Sequence, residues 1–200
     1  MKNIIFDIGN VLLRFQPRDY LKQFYDQETT NELMGRLFAS DEWIELDRGT
    51  MMIHDVIEVL TKRHPQYSQE ITYVLNHWTD MMTPIEENVK IAYKLKEKGY
   101  SLYLLSNFHL EAIETVFQKY DFFKIFDGKI ISAHVHKIKP DLDIYKLLLD
   151  KYNINPSESV FIDDSFMNTA AAEELGITSI YLPYLDDLNE KLKQINILKD

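Results

Sequence analysis

An α/β fold, with a parallel sheet and a helical insertion after its first strand, follows from three observations. Short apolar β-runs recur at residues 3–6, 101–105, 129–132, 159–162 and 179–182. From Lys90 onward these runs alternate with helix-period segments, the order that builds a parallel sheet covered on both faces by right-handed crossovers. Residues 14–84 hold helical patterns only, and about seventy residues of helix far exceed the dozen or so that one crossover needs.

The first run, Ile4-Ile5-Phe6, ends in Asp7 and breaks at Gly9, which places a carboxylate at the strand's carboxyl edge. Helical patterns then follow at 19–25, 31–39, 53–63 and 69–81, an inserted subdomain expected to sit above the strand ends. A further helix, carried by Ile91-Ala92-Tyr93-Lys94-Leu95, closes at Gly99. Strand 101–105 leads into Ser106-Asn107, and strand 129–132 precedes Lys139-Pro140-Asp141. Helix 141–151 carries Ile144, Leu147 and Leu148 on one face. Strand 159–162 runs into Asp163-Asp164, helix 168–175 closes at Gly176, and strand 179–182 completes the sheet. The expected architecture is a Rossmann-like three-layer core from residues 1–13 and 85–200, with an all-helical cap at 14–84.

Composition narrows the function. A chain of 200 residues with 46% apolar and 12% aromatic content can bury a sizeable core. A net charge of −10 and no basic stripe argue against nucleic acid. A small phosphorylated ligand stays compatible, because one lysine and a divalent cation can reverse the sign inside a cleft. The absence of cysteine excludes disulfides, thiolate zinc sites and thiol nucleophiles. No apolar stretch approaches eighteen residues, and the chain opens into a strand without a charged-then-apolar leader. A cytoplasmic protein with no membrane partner is the expectation, as monomer or homodimer.

Each polar group at a strand end has a structural and a chemical reading. Asp7 can serve as a cap or ion-pair partner, or as a nucleophile if an electrophile is held in line. Asp163 and Asp164 can form an acidic helix N-terminus, or can share a cation. Oxygen ligands without histidine favour Mg²⁺. Ser106 and Asn107 can cap a helix or bind phosphate oxygens. Lys139, biased toward extended backbone by Pro140, can be solvated or can neutralise charge.

Taken in order, Phe6-Asp7-Ile8-Gly9-Asn10-Val11, Leu105-Ser106-Asn107, Lys139-Pro140-Asp141 and Phe161-Ile162-Asp163-Asp164 resemble the four motifs of the haloacid dehalogenase-like hydrolase superfamily. The resemblance spans the whole chain and implies a mechanism. Asp7 attacks a phosphomonoester, and water hydrolyses the aspartyl-phosphate. Asp7, Asp164 and the Gly9 carbonyl ligate Mg²⁺, and Asp163 supports them or shares the ion. Ser106 and Asn107 bind phosphoryl oxygens, and Lys139 neutralises charge.

Gly9 departs from that pattern, because family phosphatases commonly carry a second Asp there as general acid and base. Losing a positioned acid costs on the order of 10²–10⁴-fold unless the leaving group departs unaided. An anomeric hydroxyl is comparatively acidic, so a sugar 1-phosphate suits the missing acid. Asp7-Ile8-Gly9-Asn10-Val11, with Trp43, Asp47-Arg48-Gly49 and His77-Trp78, is also similar to bacterial α-glucose-1-phosphate phosphatases.

Within the insertion, Trp43 and Arg48 are candidates for a specificity surface, with Gly49 permitting close approach. Packing of a helical bundle also accounts for Trp43, and Trp78 reads as core. Arg14 can face the cleft or solvent, and His109 can approach the site. His134 and His136 show no supported metal spacing, and the Met51-Met52 and Met81-Met82 pairs read as gap-filling core. The expected function is an Mg²⁺-dependent phosphatase acting on a small phosphorylated metabolite, such as the sugar phosphate glucose 1-phosphate. The alternatives are a metal-free 2-haloacid dehalogenase using the same Asp7 and a non-catalytic phospho-ligand-binding protein.

Overall fold

The structure, a computed structural model, describes residues 1–184 and 186–198; positions 185, 199 and 200 of the expected core lie outside the described residues. Five strands form one parallel sheet: β1 (Asn3–Phe6), β2 (Ser101–Ser106), β3 (Gly128–Ile131), β4 (Ser159–Asp163) and β5 (Thr178–Tyr181). Their spatial order is β3-β2-β1-β4-β5. The order reverses at β1, and the crevice outside the strand ends at such a switch point is where α/β sheets present ligands.

Alternation along the strands explains why both faces are covered. Ile4 and Phe6 of β1, Leu102 and Leu104 of β2, and Val160 and Ile162 of β4 join one buried cluster. Ile5, Tyr103, Leu105 and Phe161 point the other way, into a second cluster with Ile144 and Leu148. Strands buried on two faces read as continuous apolar runs, as these do.

The helices are α1 (Pro17–Leu21), α2 (Gln27–Leu33), α3 (Asp41–Arg48), α4 (Ile53–Arg63), α5 (Ser68–His77), α6 (Glu86–Glu97), α7 (Leu110–Lys119), α8 (Ser132–Val135), α9 (Leu142–Tyr152), α10 (Phe166–Glu174) and α11 (Leu188–Gln194). None of the described helices is long and apolar enough to cross a membrane. The chain leaves the sheet and returns through a paired neck. Arg14 N donates to the Thr83 carbonyl at 2.8 Å and Ile85 N to the Leu12 carbonyl at 2.9 Å. Buried Asn88 closes the neck from α6, donating to the Val11 carbonyl at 2.7 Å.

Helices α1 to α5 lie between these neck strands, and their apolar faces continue the first sheet cluster through Leu33, Leu37, Leu46 and Leu60. The expected helical runs shift here. The segment anticipated at 31–39 splits into the end of α2 and a π-helical turn, Met34–Phe38. The segment anticipated at 69–81 ends as α5 at His77 and continues as a 3₁₀ turn, Trp78–Met81. Helix α3 has no counterpart among the expected segments. Its polar sequence hides it, yet Ser40 Oγ accepts from Trp43 N at 3.1 Å, acidic Asp41 and Glu42 occupy the first turn, and Gly49 ends it in the left-handed region.

Gly49 also docks the insertion on the core. Its φ is +73°, and a Cβ there would lie 2.7 Å from Ala133 Cα and overlap the Ala133 carbonyl. Gly49→Ala is therefore expected to lower stability by about 1–3 kcal/mol through backbone strain and overpacking. Gly35→Ala, where a Cβ meets nothing within 4 Å, is the control in thermal denaturation.

Candidate active site

The ends of β1, β2 and β4 converge on one buried charge cluster. Asp7 follows β1, and its Oδ1 accepts from Ile8 N at 2.7 Å and lies 2.9 Å from Lys139 Nζ. Lys139 Nζ also donates to Asp163 Oδ2 at 2.6 Å. Asp163 is fully buried, and its Oδ1 accepts from Ser165 N at 2.8 Å and Asn168 Nδ2 at 3.0 Å. Asp164 Oδ2 accepts from Asn10 Nδ2 at 2.9 Å. Asp7, Asp163 and Asp164 each offer an oxygen within 4.8 Å of the others.

One lysine among three carboxylates leaves the cluster short of positive charge. Burial, chiefly, pushes the Asp7 carboxyl up to about 7, with Asp163 and Asp164 adding to the rise and Lys139 opposing it. Asp164 is raised by burial and by Asp163, against its hydrogen bond from Asn10. Burial alone would lower Lys139, but Asp163 and Asp7 together outweigh it and hold the ammonium above its ordinary range. An oxygen-only donor set with surplus negative charge fits a hard divalent cation.

Ser106, at the end of β2, is buried and places its hydroxyl beside Asp7, where it favours the ionised carboxylate. Asn107, anticipated on phosphate oxygens, has both ends of its side-chain amide on Lys139. Its Oδ1 accepts from Lys139 N at 2.8 Å, and its Nδ2 donates to the Lys139 carbonyl at 3.0 Å. Asn107 thus fixes the lysine's backbone while also lining the cavity over the cluster.

A cavity of about 140 Å³ opens over the cluster, with Asp7, Gly9, Asn10 and Asp164 among its lining. Phe15, Trp43, Trp78, Met82 and Phe108 supply apolar wall, and Asp47 supplies a carboxylate from the insertion. Trp43 holds both of its anticipated positions, on the cavity and inside an aromatic cluster with Phe15, Phe38 and Trp78. Arg48 does not line the cavity; its guanidinium lies 3.6 Å from Glu45. A larger cavity of about 580 Å³, between α6 and residues 182–184 and 186–189, shares only Asn10 with the site among the described residues.

Several site residues had no assigned role in the sequence. Asn10 sits at φ +52°, a conformation that asparagine tolerates, and joins Asp164 to Phe15 N and Gln16 through its two amide ends. Asn168 holds Asp163, and Trp78 is cavity wall as well as core. His109 is 1% exposed and sits against Trp43 and Trp78, with Nε2 3.4 Å from Asp47 Oδ1. An Asn after a strand-ending Gly is a readable signal for the first of these. Asn168 lies five positions from Asp163, in the helix that follows it, whereas Trp78 and His109 depend on contacts between distant segments.

A switch-point carboxylate salt-bridged to a buried lysine, under a helical insertion that closes over it, defines a capped α/β hydrolase. Residues 1–176 match the haloacid dehalogenase-like hydrolase family, and the chain belongs to it. Among characterised proteins it is 25% identical over 181 residues to the sesquiterpene phosphatase astK of Aspergillus oryzae, covering 90% of this chain and 89% of that one. It is 26% identical over 190 residues to a phosphorylated carbohydrates phosphatase of Thermotoga maritima, covering 90% and 84%. The fold matches a HAD family enzyme of Bacteroides thetaiotaomicron, crystallised with magnesium and inorganic phosphate, at a TM-score of 0.78 and 21% identity over 95% of this chain and 98% of that one.

Proposed function

We propose that this hydrolase is an Mg²⁺-dependent phosphatase that transfers the phosphoryl group of a small metabolite onto Asp7 and then to water. The observation that carries this reading is the Asp7–Lys139–Asp163 chain of contacts beside Asp164, at the floor of a covered cavity. Asp7, Asp164 and the Gly9 carbonyl would hold the ion, with Asp163 behind them. The ion's chemistry there is to neutralise the carboxylates and the phosphate oxygens. Asp7 forms the bond to phosphorus, Ser106 meets phosphoryl oxygens, and Lys139 balances charge on the nucleophile and the transferring group. Asn107 keeps Lys139 in place, and the apolar wall excludes bulk water.

A metal-free dehalogenase has little use for three converging carboxylates, so the acidic cluster favours the phosphatase. The cavity of about 140 Å³ places room for a phosphate directly over the cluster. A sugar phosphate such as glucose 1-phosphate, its ring against the aromatic wall, is the substrate class that the Thermotoga relative supports. The Trp43, Trp78, Phe108 and Met82 surfaces favour a second reading, the phosphate of an apolar alcohol, which the Aspergillus relative supports.

Phosphate release from a panel of sugar and alkyl phosphates, with Mg²⁺ or with chelator, tests both readings beside halide release from 2-haloacids. Mg²⁺-dependent phosphate release is expected; chelator-insensitive halide release alone would overturn the proposal. Metal binding has its own readout. The folded-state rise of Asp7 to about 7 means that its favourable contribution to the metal-free protein is lost as pH climbs through that value. A cation relieves the repulsion that appears there. The Mg²⁺-induced increase in Tm is therefore expected to be larger near about pH 8 than near about pH 5, as read by differential scanning fluorimetry.

A further inference from the structure

Transfer of a phosphoryl group from an alkyl ester onto Asp7 leaves an oxygen that needs a proton. The acids nearest the nucleophile are already engaged. Asp163 is bound by Lys139, Ser165 and Asn168, and Asp164 is bound by Asn10. Position 9 has no side chain. The backbone does not require that absence, because Gly9 is not among the residues with positive φ and a Cβ there would meet only Phe15 Cβ, at 4.0 Å. The remaining acid on the cavity is Asp47, whose carboxyl accepts no hydrogen bond among the described residues and has the His109 ring as its polar neighbour.

We propose that Asp47, carried by the insertion, is the catalytic proton donor to the leaving oxygen. This rests on the phosphatase reading above. The main chain around Asp47 is fastened to the core rather than left to move with the insertion. The Ser132 hydroxyl donates to the Asp47 carbonyl, and Ser132 Oγ in turn accepts from Phe108 N at 2.9 Å, beside the phosphate-facing turn. His136 Nδ1 lies 3.1 Å from the Arg48 carbonyl, and Gly49 packs on the Ala133 backbone. Three successive residues therefore hold α3's end against residues 132–136, with Asp47 on the cavity.

Its surroundings keep the proton in place. Burial first, and the charge of Asp7 second, push the Asp47 carboxyl up to about 8, with Lys139 opposing. Burial drops His109 to about 3, so the imidazole is neutral and does not draw Asp47 into an ion pair. A carboxylic acid kept protonated near neutrality is suited to general acid work. In the first half-reaction, Asp7 bonds to phosphorus, the phosphorus–oxygen bond to the alcohol breaks, and that oxygen takes the Asp47 proton. In the second, the Asp47 carboxylate takes a proton from the attacking water, the bond between phosphorus and Asp7 breaks, and Asp47 is an acid again. The sum is ester plus water giving alcohol plus phosphate.

Asp47→Asn tests the assignment with p-nitrophenyl phosphate, whose leaving group departs unaided, against glycerol phosphate, whose leaving group does not. Expected is a loss of about 10²–10⁴-fold in kcat/KM on glycerol phosphate and less than about tenfold on the aryl ester. Gly9→Asp added to Asp47→Asn should recover at least about tenfold on glycerol phosphate, because the acid is restored from the other wall. The wild-type protein supplies a measurement that needs no variant. Asp7 and Lys139 from the core and His109 before α7 are the charged or titratable groups facing Asp47. Above about pH 8, kcat/KM should fall on glycerol phosphate relative to the aryl ester, as the donor ionises. Equal losses on the two esters in the variant, or parallel wild-type pH profiles, would remove Asp47 as the acid and leave the phosphatase reading standing. Absence of Mg²⁺-dependent phosphate release from either ester in the wild type would overturn both.

Discussion

Asp7→Asn is expected to reduce turnover by about four orders of magnitude or more on every substrate while the protein stays folded. The amide nearly matches the carboxylate in shape, and its oxygen can still accept from Ile8 N, which now reaches Asp7 Oδ1 at 2.7 Å. It cannot supply the electron pair that forms the bond to phosphorus. Folding should not suffer, because Lys139 keeps its 2.6 Å contact with Asp163. The repulsion from Asp163 and Asp164, part of what raises Asp7 to about 7, is removed. Without Mg²⁺ the Tm at mildly alkaline pH should equal or exceed that of the wild type, and the Mg²⁺-induced increase should shrink. A variant that still releases phosphate at the wild-type rate would place the nucleophile elsewhere. The leaving-group pattern separates this substitution from Asp47→Asn. Loss of the nucleophile affects aryl and alkyl esters alike, whereas loss of the proton donor lowers kcat/KM far more on the alkyl ester than on the aryl ester.

The strands and the residues at their ends were legible because each is set by local sequence. A short continuous apolar run, broken by Gly9 or followed by Asp163-Asp164, states its own structure, and the five observed strands differ from the anticipated ones by a residue at some ends. The insertion was legible as helix but not as helices. α3 is only two turns long; Trp43 and Leu46 mark its buried face and Ser40 and Gly49 its ends, but so short a segment gives little periodic pattern to read. Residues whose importance comes from pairing across the chain were not legible. Asn107 carries the same sequence signal whether it meets phosphate or Lys139, 32 positions away. Asp47 lies in the charged stretch Glu45-Leu46-Asp47-Arg48, where a solvated helix face is the ordinary outcome. Only the docking of α3 on Ser132 and Ala133 turns its carboxyl into a cavity group. Arg48, one residue on and anticipated on a specificity surface, sits beside Glu45, three positions earlier on the same helix.

Lys139→Met is expected to lose activity and about 3–5 kcal/mol of stability, because it leaves buried carboxylates uncompensated. The Lys139 side chain is 1% exposed and bridges Asp7 at 2.9 Å to Asp163 at 2.6 Å. Methionine matches its length and packs beside Phe161, whose ring centroid lies 5.4 Å from Nζ. The loss is therefore electrostatic rather than steric. Without the ammonium, the buried negative charge of the folded state is uncompensated, and the Asp7 carboxyl rises further. The protonated form of Asp7 is tolerated, so the destabilisation should be small in acid and grow as pH rises toward about pH 8, a steeper decline than the wild type shows. Denaturant unfolding at several pH values measures it, with Lys137→Met as the control. Lys137 pairs with Asp143 at the surface, 3.1 Å away, and its loss should stay within about 0.5 kcal/mol. Adding Asp163→Asn to Lys139→Met should recover part of the stability and none of the turnover. Stability depends on whether the buried charges balance, whereas catalysis requires a cation placed against Asp7. Recovery of activity in the double variant would show that Lys139 serves the fold alone.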